Sequence, residues 1–224
     1  AKMLLGIEKI LIDEKPDVVI VQGDTNTVLS GALAAAKLNI PVAHVEAGLR
    51  SKDRTMPEEL NRIMTDHISS YLLPPTEKTK QILLSEGIDP KKIEITGNTI
   101  VDAVFQNLKL AQSESKILDT LKIRLNQYIL LTAHRAENTD NKEKLAGILS
   151  GANLLGNELD MKVIYPIHPR ALKMLEIFEI SIPKNVKLID PIGFLDFLLL
   201  QKSAHIILTD SGGIQEESCI LKVP

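Results

Sequence analysis

Short apolar runs alternate with segments of helical periodicity along almost the whole chain. Most of these runs are continuous rather than alternating, which is typical of parallel strands covered on both faces. The runs predict strands at residues 18–22, 42–45, 71–73, 93–96, 128–132, 163–167, 186–189 and 206–209. Helical periodicity predicts helices near residues 27–38, 58–69, 77–86, 99–112, 142–159, 169–179, 194–202 and 214–221. This order of strands and helices predicts an α/β fold built on open parallel sheets.

A polar segment at residues 112–124 separates two sets of predicted strands. We therefore expect two Rossmann-like, doubly wound domains, residues 1–98 and residues 99–224, with the junction between residues 97 and 127. Ligands bind in such folds at the carboxyl ends of the strands. Two domains of this kind would place those ends around a shared cleft.

Both ends of the chain fall inside predicted elements. The chain starts without Met in a helical pattern and stops at Pro224, where a further strand would begin. The first strand, residues 18–22, has the continuous apolar character of an interior strand, which needs a neighbour on each side. We therefore expect both domains to be incomplete and the chain to be a fragment of a longer protein.

Composition narrows the class of function. Hydrophobic residues make up 44% of the chain, which is enough for real cores, whereas the formal net charge is −3 and aromatic residues are 3% with no Trp. This balance argues against a nucleic-acid partner. No apolar run approaches the ~20 residues that span a bilayer, and the start lacks the layout of a signal peptide. The single Cys excludes an internal disulfide, so we expect a cytoplasmic protein with no membrane partner.

Charged and imidazole side chains cluster directly after predicted strands, where a cleft is expected. They are Asp24, Glu46, His134, Arg135, His168 and the turn that begins at Ser211. Solvated loops would place such residues at both ends of the strands. The pattern therefore predicts a ligand site at the carboxyl ends.

The most informative single stretch is HIILTDSGGIQEE at residues 205–217. It predicts a strand, a tight turn and a helix N-terminus, where unpaired N–H groups and the helix dipole favour phosphate. Gly212 and Gly213 would let an anion approach the backbone closely, and Glu217 could accept hydrogen bonds from a ribose diol. The alternative is an ordinary connector with a Ser or Asp cap.

Three carboxylates in the first half are candidates for acid and base chemistry: Asp24, Glu46 and Glu58. Several carboxylates near an anion raise one another's pKa, which suits one as acid and another as base. Asp24 and Glu58 also have a purely structural alternative. Asp24 could cap the following helix, and Glu58, directly after Pro57, could be an ordinary acidic residue of a first helical turn. His134 could equally be a satisfied, partly buried histidine. The spacing suggests no metal, and neither a dinucleotide fingerprint nor a P-loop is present.

Five motifs in this order resemble the UDP-N-acetylglucosamine 2-epimerases. They are VQGDTNTVLSGALAA (21–35), HVEAGLRS (44–51), MPEELNR (56–62), TAHRAEN (132–138) and TDSGGIQEE (209–217). The resemblance implies the glycosyltransferase-B architecture and the interconversion of UDP-GlcNAc and UDP-ManNAc without nicotinamide or metal. It also leads us to expect a homodimer that serves polysaccharide biosynthesis.

The resemblance also implies a mechanism and a role for each matching residue. UDP departs by anti elimination to leave 2-acetamidoglucal, and re-addition with a proton from the other face gives the epimer. Carried over by motif, Asp24, Glu46 and Glu58 are the acid and base carboxylates, and His134 assists the leaving phosphate. The residues implied to bind UDP are Arg135, Phe197 against uracil, Ser211, Gly212 and Gly213 at the diphosphate, and Glu217 at the ribose.

One departure from the family pattern bears on activity. The family begins with a strand and a Gly/Arg-containing loop that contacts UDP, and nothing like it precedes residue 18. We therefore expect this stretch alone to be inactive. Three alternatives stay open: a hydrolysing enzyme that releases ManNAc and UDP, a glycosyltransferase of the same architecture, and an inactive module that only binds UDP-sugar.

Overall fold

The computed structural model describes all residues from 1 to 224, and they form two compact units, Ala1–Thr99 and Ile100–Pro224. Each unit contains one parallel β-sheet with helices between its strands. The predicted α/β fold with parallel sheets is therefore confirmed. No helix is both long enough and apolar enough to cross a membrane.

The first unit contains a three-stranded sheet in the order β1-β2-β3. Apolar side chains of α1 and α2 pack on it around Leu11, Val21, Val28 and Val42. The element bounds are α1 Lys2–Glu14, β1 Val19–Gln22, α2 Asn26–Lys37, β2 Val42–Val45, α3 Pro57–Ile68, β3 Tyr71–Leu73, α4 Glu77–Ser85 and a 3₁₀ turn Pro90–Lys92.

The strand predicted at residues 93–96 is wrong. Glu94 N–H bonds to Leu72 O and Thr96 N–H bonds to Pro74 O, yet only one isolated bridge forms beside β3. In a parallel ladder, a further hydrogen bond donated by residue 74 would lie between these two bonds. Residue 74 is proline, which has no N–H to donate. The first sheet therefore ends at β3.

β1 is the outer strand of the three-stranded sheet, and its apolar side chain Ile20 is 68% exposed. The second neighbour of β1 was expected from residues outside this chain. The interior position of β1 in a longer protein therefore stays a prediction.

The second unit contains a four-stranded parallel sheet in the order β6-β5-β4-β7. Tyr128 and Leu130 of β4 pack into one core cluster and Ile129 and Leu131 into another, so both faces of the sheet are covered. The bounds are α5 Thr99–Glu114, α6 Ile117–Leu121, β4 Tyr128–Thr132, α7 Ala136–Thr139, α8 Lys142–Glu158, β5 Lys162–Pro166, α9 Pro169–Ile177, β6 Val186–Ile189, α10 Phe194–Ser203, β7 Ile206–Thr209 and α11 Gly212–Leu221.

The strand order of the second sheet creates a topological switch point. From β4 the chain moves outward to β5 and β6, and then returns to the other side of β4 as β7. The loops that follow β4 and β7 consequently diverge, which leaves a crevice at the carboxyl ends of these two strands. This crevice is where His134 and the turn at Ser211 are placed.

Candidate active site

Asp24 and Glu46 follow neighbouring strands of the first sheet, as the sequence predicts. Gln22 at the end of β1 is the register partner of Val45 at the end of β2. Gln22 Nε2 donates to Glu46 Oε1 at 2.7 Å, and Gly23 N–H bonds to Val45 O at 3.2 Å. The two turns that carry these carboxylates are thus adjacent at the carboxyl ends of β1 and β2.

Helix α3 contacts the Asp24 turn through two side chains. Asn61 Nδ2 donates to Asp24 O at 2.8 Å, and Arg62 forms an ion pair with the Asp24 carboxylate. Glu58 lies four residues before Arg62 and therefore on the same face of α3. The Glu58 side chain is exposed, without a hydrogen-bond or ion-pair partner.

Capping does not account for Asp24. The N-cap of α2 is Thr25, whose side-chain oxygen accepts from Val28 N–H at 3.4 Å. The Asp24 side chain instead turns to Arg62.

Glu59 holds the loop before α3 in place. It is buried and accepts from the backbone N–H groups of Ser51 and Lys52 at 2.7 Å and 3.0 Å. Burial raises its pKa, but these hydrogen bonds outweigh burial and the pKa of Glu59 is lowered overall. Of the two neighbouring glutamates, Glu59 is therefore structural and Glu58 is free.

A buried ionic network lies behind the two turns. His44 Nδ1 is 2.6 Å from Asp66 Oδ1, and Arg50 bridges from Asp66, at 2.7 Å, to Glu86, at 2.6 Å. The side chains of His44 and Asp66 are completely buried. Sequence reasoning missed this network, although a histidine inside the apolar strand VAHV was a signal that partners were needed.

Asp210 organises the switch-point crevice of the second unit. Its carboxylate accepts from the backbone N–H groups of His134 and Arg135 at 3.1 Å and 3.0 Å and from Asn138 Nδ2 at 2.9 Å. His134 Nδ1 also lies 3.2 Å from Asp210 Oδ1. Asp210 thereby ties the loop after β4 to the end of β7.

Asp210 is held as a carboxylate by these donors. Burial raises its pKa, whereas the hydrogen bonds from Asn138, Arg135 and His134 lower it by more, so the pKa of Asp210 lies below its usual value. Sequence reasoning treated Asp210 only as a possible cap. Its position directly after a buried strand, like that of Glu46, was the available signal.

The N-terminus of α11 has amide groups without a side-chain cap. Ser211 is in the N-cap position, but its side chain makes no capping bond. Gly212 and Gly213 are exposed, and a Cβ built on either would meet nothing within 4 Å. The ordinary-cap alternative is therefore wrong, and the first turn of α11 is open to an anion.

Glu217 lies four residues after Gly213 on α11 and has a defined orientation. Gln201 Nε2, on α10, donates to Glu217 Oε2 at 2.6 Å. Because Gln201 is buried, its amide is a fixed donor that orients the Glu217 carboxylate.

Phe197 lines a pocket beside the crevice. The pocket has a volume of about 190 Å³ and is bounded by Phe197, His134, His168 and apolar residues such as Pro166 and Ile192. The His134 and His168 rings are 6.3 Å apart. This pocket is predominantly apolar and has two imidazoles at its edge, which suits a flat heterocycle.

No group of three or more His, Cys, Asp or Glu side chains in the structure could hold a metal ion. The expectation of a reaction without metal or cofactor stays a prediction.

Comparison with known proteins identifies the family. A family model described as UDP-N-acetylglucosamine 2-epimerase matches residues 1–224. The chain belongs to the UDP-N-acetylglucosamine 2-epimerase family. The family predicted from the five motifs is thereby confirmed.

Relatives in this epimerase family agree in sequence and in structure. The UDP-N-acetylglucosamine 2-epimerase of Methanocaldococcus jannaschii is 57% identical over 230 residues, which cover 100% of this chain and 63% of that protein. A crystal structure of the M. jannaschii UDP-GlcNAc 2-epimerase in complex with UDP-GlcNAc and UDP matches 100% of this chain and 63% of its own, with a TM-score of 0.90.

A more distant epimerase has the same fold. The UDP-GlcNAc 2-epimerase from Neisseria meningitidis bound to UDP-GlcNAc is 37% identical and has a TM-score of 0.88, over 99% of this chain and 62% of its own. These matches confirm the glycosyltransferase-B class of fold. The chain spans slightly less than two thirds of the length of these relatives.

Proposed function

We propose that the protein carrying this chain is an isomerase that interconverts UDP-GlcNAc and UDP-ManNAc at C2. The observation that supports this most strongly is 57% identity, along the whole chain, to an epimerase crystallised with UDP-GlcNAc and UDP. The open N-terminus of α11 and the carboxylates Asp24 and Glu46 supply the kinds of group that this reaction needs.

The second unit would bind the nucleotide and stabilise its departure. The free amides of Gly212 and Gly213 would take the diphosphate, with the positive end of the α11 dipole behind them. Phe197 would lie against uracil and Glu217 against the ribose. Donors fixed in place before reaction are usually the largest electrostatic contribution to catalysis.

His134 would assist the leaving phosphate. Its Nδ1 lies 3.2 Å from the Asp210 carboxylate, and Nε2, the other ring nitrogen, would face the ligand. Arg135, whose side chain is partly exposed, would add positive charge to the same anion.

The first unit would move the proton at C2. As the C1–O bond breaks, its electron pair leaves with UDP and a carboxylate takes the C2 proton, which forms the C1–C2 double bond of 2-acetamidoglucal. UDP then adds back to C1 while a second carboxylate delivers a proton to the opposite face of C2. Asp24, Glu46 and Glu58 would share these acid and base roles.

The product distinguishes this proposal from a hydrolysing enzyme and from an inactive binding module. The full-length protein is incubated with UDP-GlcNAc and the sugars are followed by NMR. We expect UDP-ManNAc to accumulate with no free sugar. Release of ManNAc and UDP would indicate a hydrolysing enzyme, and UDP binding without turnover would indicate an inactive binding module.

We further propose that the full-length protein is a cytoplasmic homodimer that needs no cofactor and serves polysaccharide biosynthesis. Family membership is the support for this assembly and role. Analytical ultracentrifugation tests the assembly, and a sedimenting mass of one chain would contradict it.

A further inference from the structure

His44 has a hydrogen-bond acceptor at each of its ring nitrogens. Nε2 lies 2.9 Å from the backbone oxygen of Gly23, and Nδ1 lies 2.6 Å from Asp66 Oδ1. A peptide oxygen only accepts, so Nε2 must carry a proton. Asp66 Oδ2 accepts from Gly48 N–H at 3.1 Å and pairs with Arg50. His44 and Asp66 thus form one buried, hydrogen-bonded pair with further bonds on each side.

His44 and Asp66 link the two turns that carry the proposed acid and base groups. His44 holds the carbonyl of Gly23, directly before Asp24. Asp66 holds the N–H of Gly48, two residues after Glu46. Each turn is therefore anchored to the same buried pair.

The backbone of both turns depends on this anchoring. Gly23 and Glu46 have φ angles of 81° and 69°, and a left-handed conformation at a non-glycine residue such as Glu46 needs support from its surroundings. Gly48 has φ 78°, and a Cβ there would lie 2.5 Å from Thr79 O, so its backbone is pressed against α4. Small changes in the network would therefore move the Glu46 carboxylate.

The energetics favour a positioning role over a stabilising one. Four ionisable side chains are largely or wholly removed from solvent here: His44, Arg50, Asp66 and Glu86. Apolar side chains of the same volume often stabilise a protein as much as a buried ionic group does, or more. What apolar side chains would not supply is a directional bond to the carbonyl of Gly23 and to the N–H of Gly48.

We propose that His44 and Asp66 are positioning residues that fix the Asp24 and Glu46 carboxylates for proton transfer at C2. The inference rests on the proposed function, because it assigns those carboxylates to the reaction. Neither His44 nor Asp66 contacts the substrate, and both act through the two turns.

The hydrogen bond from His44 to Gly23 is tested by ¹⁵N NMR of the histidine-labelled native protein, with the ring signals assigned from the backbone of each histidine. We expect Nε2 of the buried His44 to carry a slowly exchanging proton. An unprotonated Nε2 would overturn the proposal, and this measurement requires no variant to fold.

The positioning role is tested by kinetics on Asp66→Asn and His44→Gln, with the number of active sites counted by UDP binding. We expect kcat per site to fall by roughly 10², the scale of a misplacement of about 1 Å, while the UDP dissociation constant stays close to native. Asp17→Asn, at an exposed aspartate of the first unit outside this network, is the matched control and should keep native kcat. Native kcat per site in the folded Asp66 and His44 variants would overturn the proposal.

The carboxylate variants separate this inference from the proposed function. If Asp24→Asn and Glu46→Gln lose turnover while Asp66→Asn keeps it, only the positioning role fails. If Asp24→Asn and Glu46→Gln keep native turnover, the proposed roles of the carboxylates fail, and the positioning role fails with them.

Discussion

Glu58 and Glu59 are neighbours in sequence, but only Glu59 is bonded into the fold. Glu59 is buried and accepts hydrogen bonds from Ser51 and Lys52, whereas Glu58 is exposed on the face of α3 that carries Arg62. Both glutamates lie in the first turn of α3, where any acidic residue is favourable, so helix capping alone does not distinguish them. Sequence reasoning selected Glu58 from its motif. The structure adds a physical difference between them, because only the Glu58 carboxylate is exposed and unbonded and could therefore bind a ligand.

Individual residues could be predicted from local sequence signals, but contacts between residues far apart in the sequence could not. Asp24, Glu46 and His134 could be placed at strand ends from the sequence, because an apolar run that stops at a polar residue is a local signal. Asp66 lies inside a helix, and its partner His44 is 22 residues away. No periodicity or spacing records such a pair, so it emerges only when α3 packs against β2.

Substitution of the three carboxylates tests their proposed roles. Asp24→Asn, Glu46→Gln and Glu58→Gln should each lower turnover by about 10² or more, the usual contribution of an acid or base group. UDP affinity, measured by calorimetry, should change little because the proposed UDP site is in the second unit. Glu94→Gln, an exposed glutamate of the first unit, is the control. Native turnover in all three variants would show that these carboxylates are not the acid and base groups.

Asp210→Asn tests the organisation of the crevice through its pH dependence. The amide loses charge-assisted bonds from His134, Arg135 and Asn138, which should cost about 1.5–3 kcal/mol at pH 7. Because the folded pKa of Asp210 is lowered, its contribution to stability is complete above the unfolded pKa of about 3.9 and is lost as pH falls through the folded pKa. The difference in Tm between native protein and variant should therefore be large at pH 7 and shrink below about pH 4.

The exposed residue Asp190 provides the control for this measurement. Asp190→Asn should leave Tm unchanged at both pH values. A Tm difference for Asp210→Asn that is equally large in acid would mean that the carboxylate charge is not what holds the two loops.

At the scale of elements, continuous apolar runs and long helical periods were reliable guides. Three of the four strands of the second sheet have the bounds that the sequence predicts, and β5 both begins and ends one residue earlier. The short helices α6 and α7 were missed, because five and four residues are too few to show a helical period. The false strand at residues 93–96 reflects the missing N–H of Pro74, an effect on the neighbouring strand rather than on the segment itself.

The first turn of α11 should be sensitive to side-chain bulk in binding but not in folding. A Cβ on Gly213 meets no protein atom within 4 Å, so Gly213→Val should fold normally. The branched side chain would occupy the space where the diphosphate is proposed to lie, and UDP affinity measured by calorimetry should fall. Ser211→Ala should cost less, about 1 kcal/mol, the size of one hydrogen bond.

Gly6→Val is the matched control for Gly213→Val. Gly6 lies in α1 of the first unit, and its Cβ position is equally open. UDP affinity should be native in this variant. Unchanged affinity in Gly213→Val as well would place the nucleotide site elsewhere in the protein.

At the scale of the whole molecule, the chain combines two parallel-sheet units that carry different functional groups. The first carries carboxylates at adjacent strand ends, and the second carries an open helix N-terminus beside an oriented histidine. The sequence predicted both sets, because each follows directly from where apolar runs stop. It could not predict how each set is held in place, since that depends on the buried residues Asp66 and Asp210 and on their partners far along the chain.

The central claim is that epimerisation proceeds by elimination and re-addition of UDP, with a carboxylate exchanging the C2 proton with solvent. The most direct measurement is incubation of the full-length protein with UDP-GlcNAc in D₂O, without added NAD, followed by NMR of both UDP-sugars. We predict that solvent deuterium appears at C2 of UDP-GlcNAc and of UDP-ManNAc. Epimers that form with the C2 hydrogen fully retained would contradict the account.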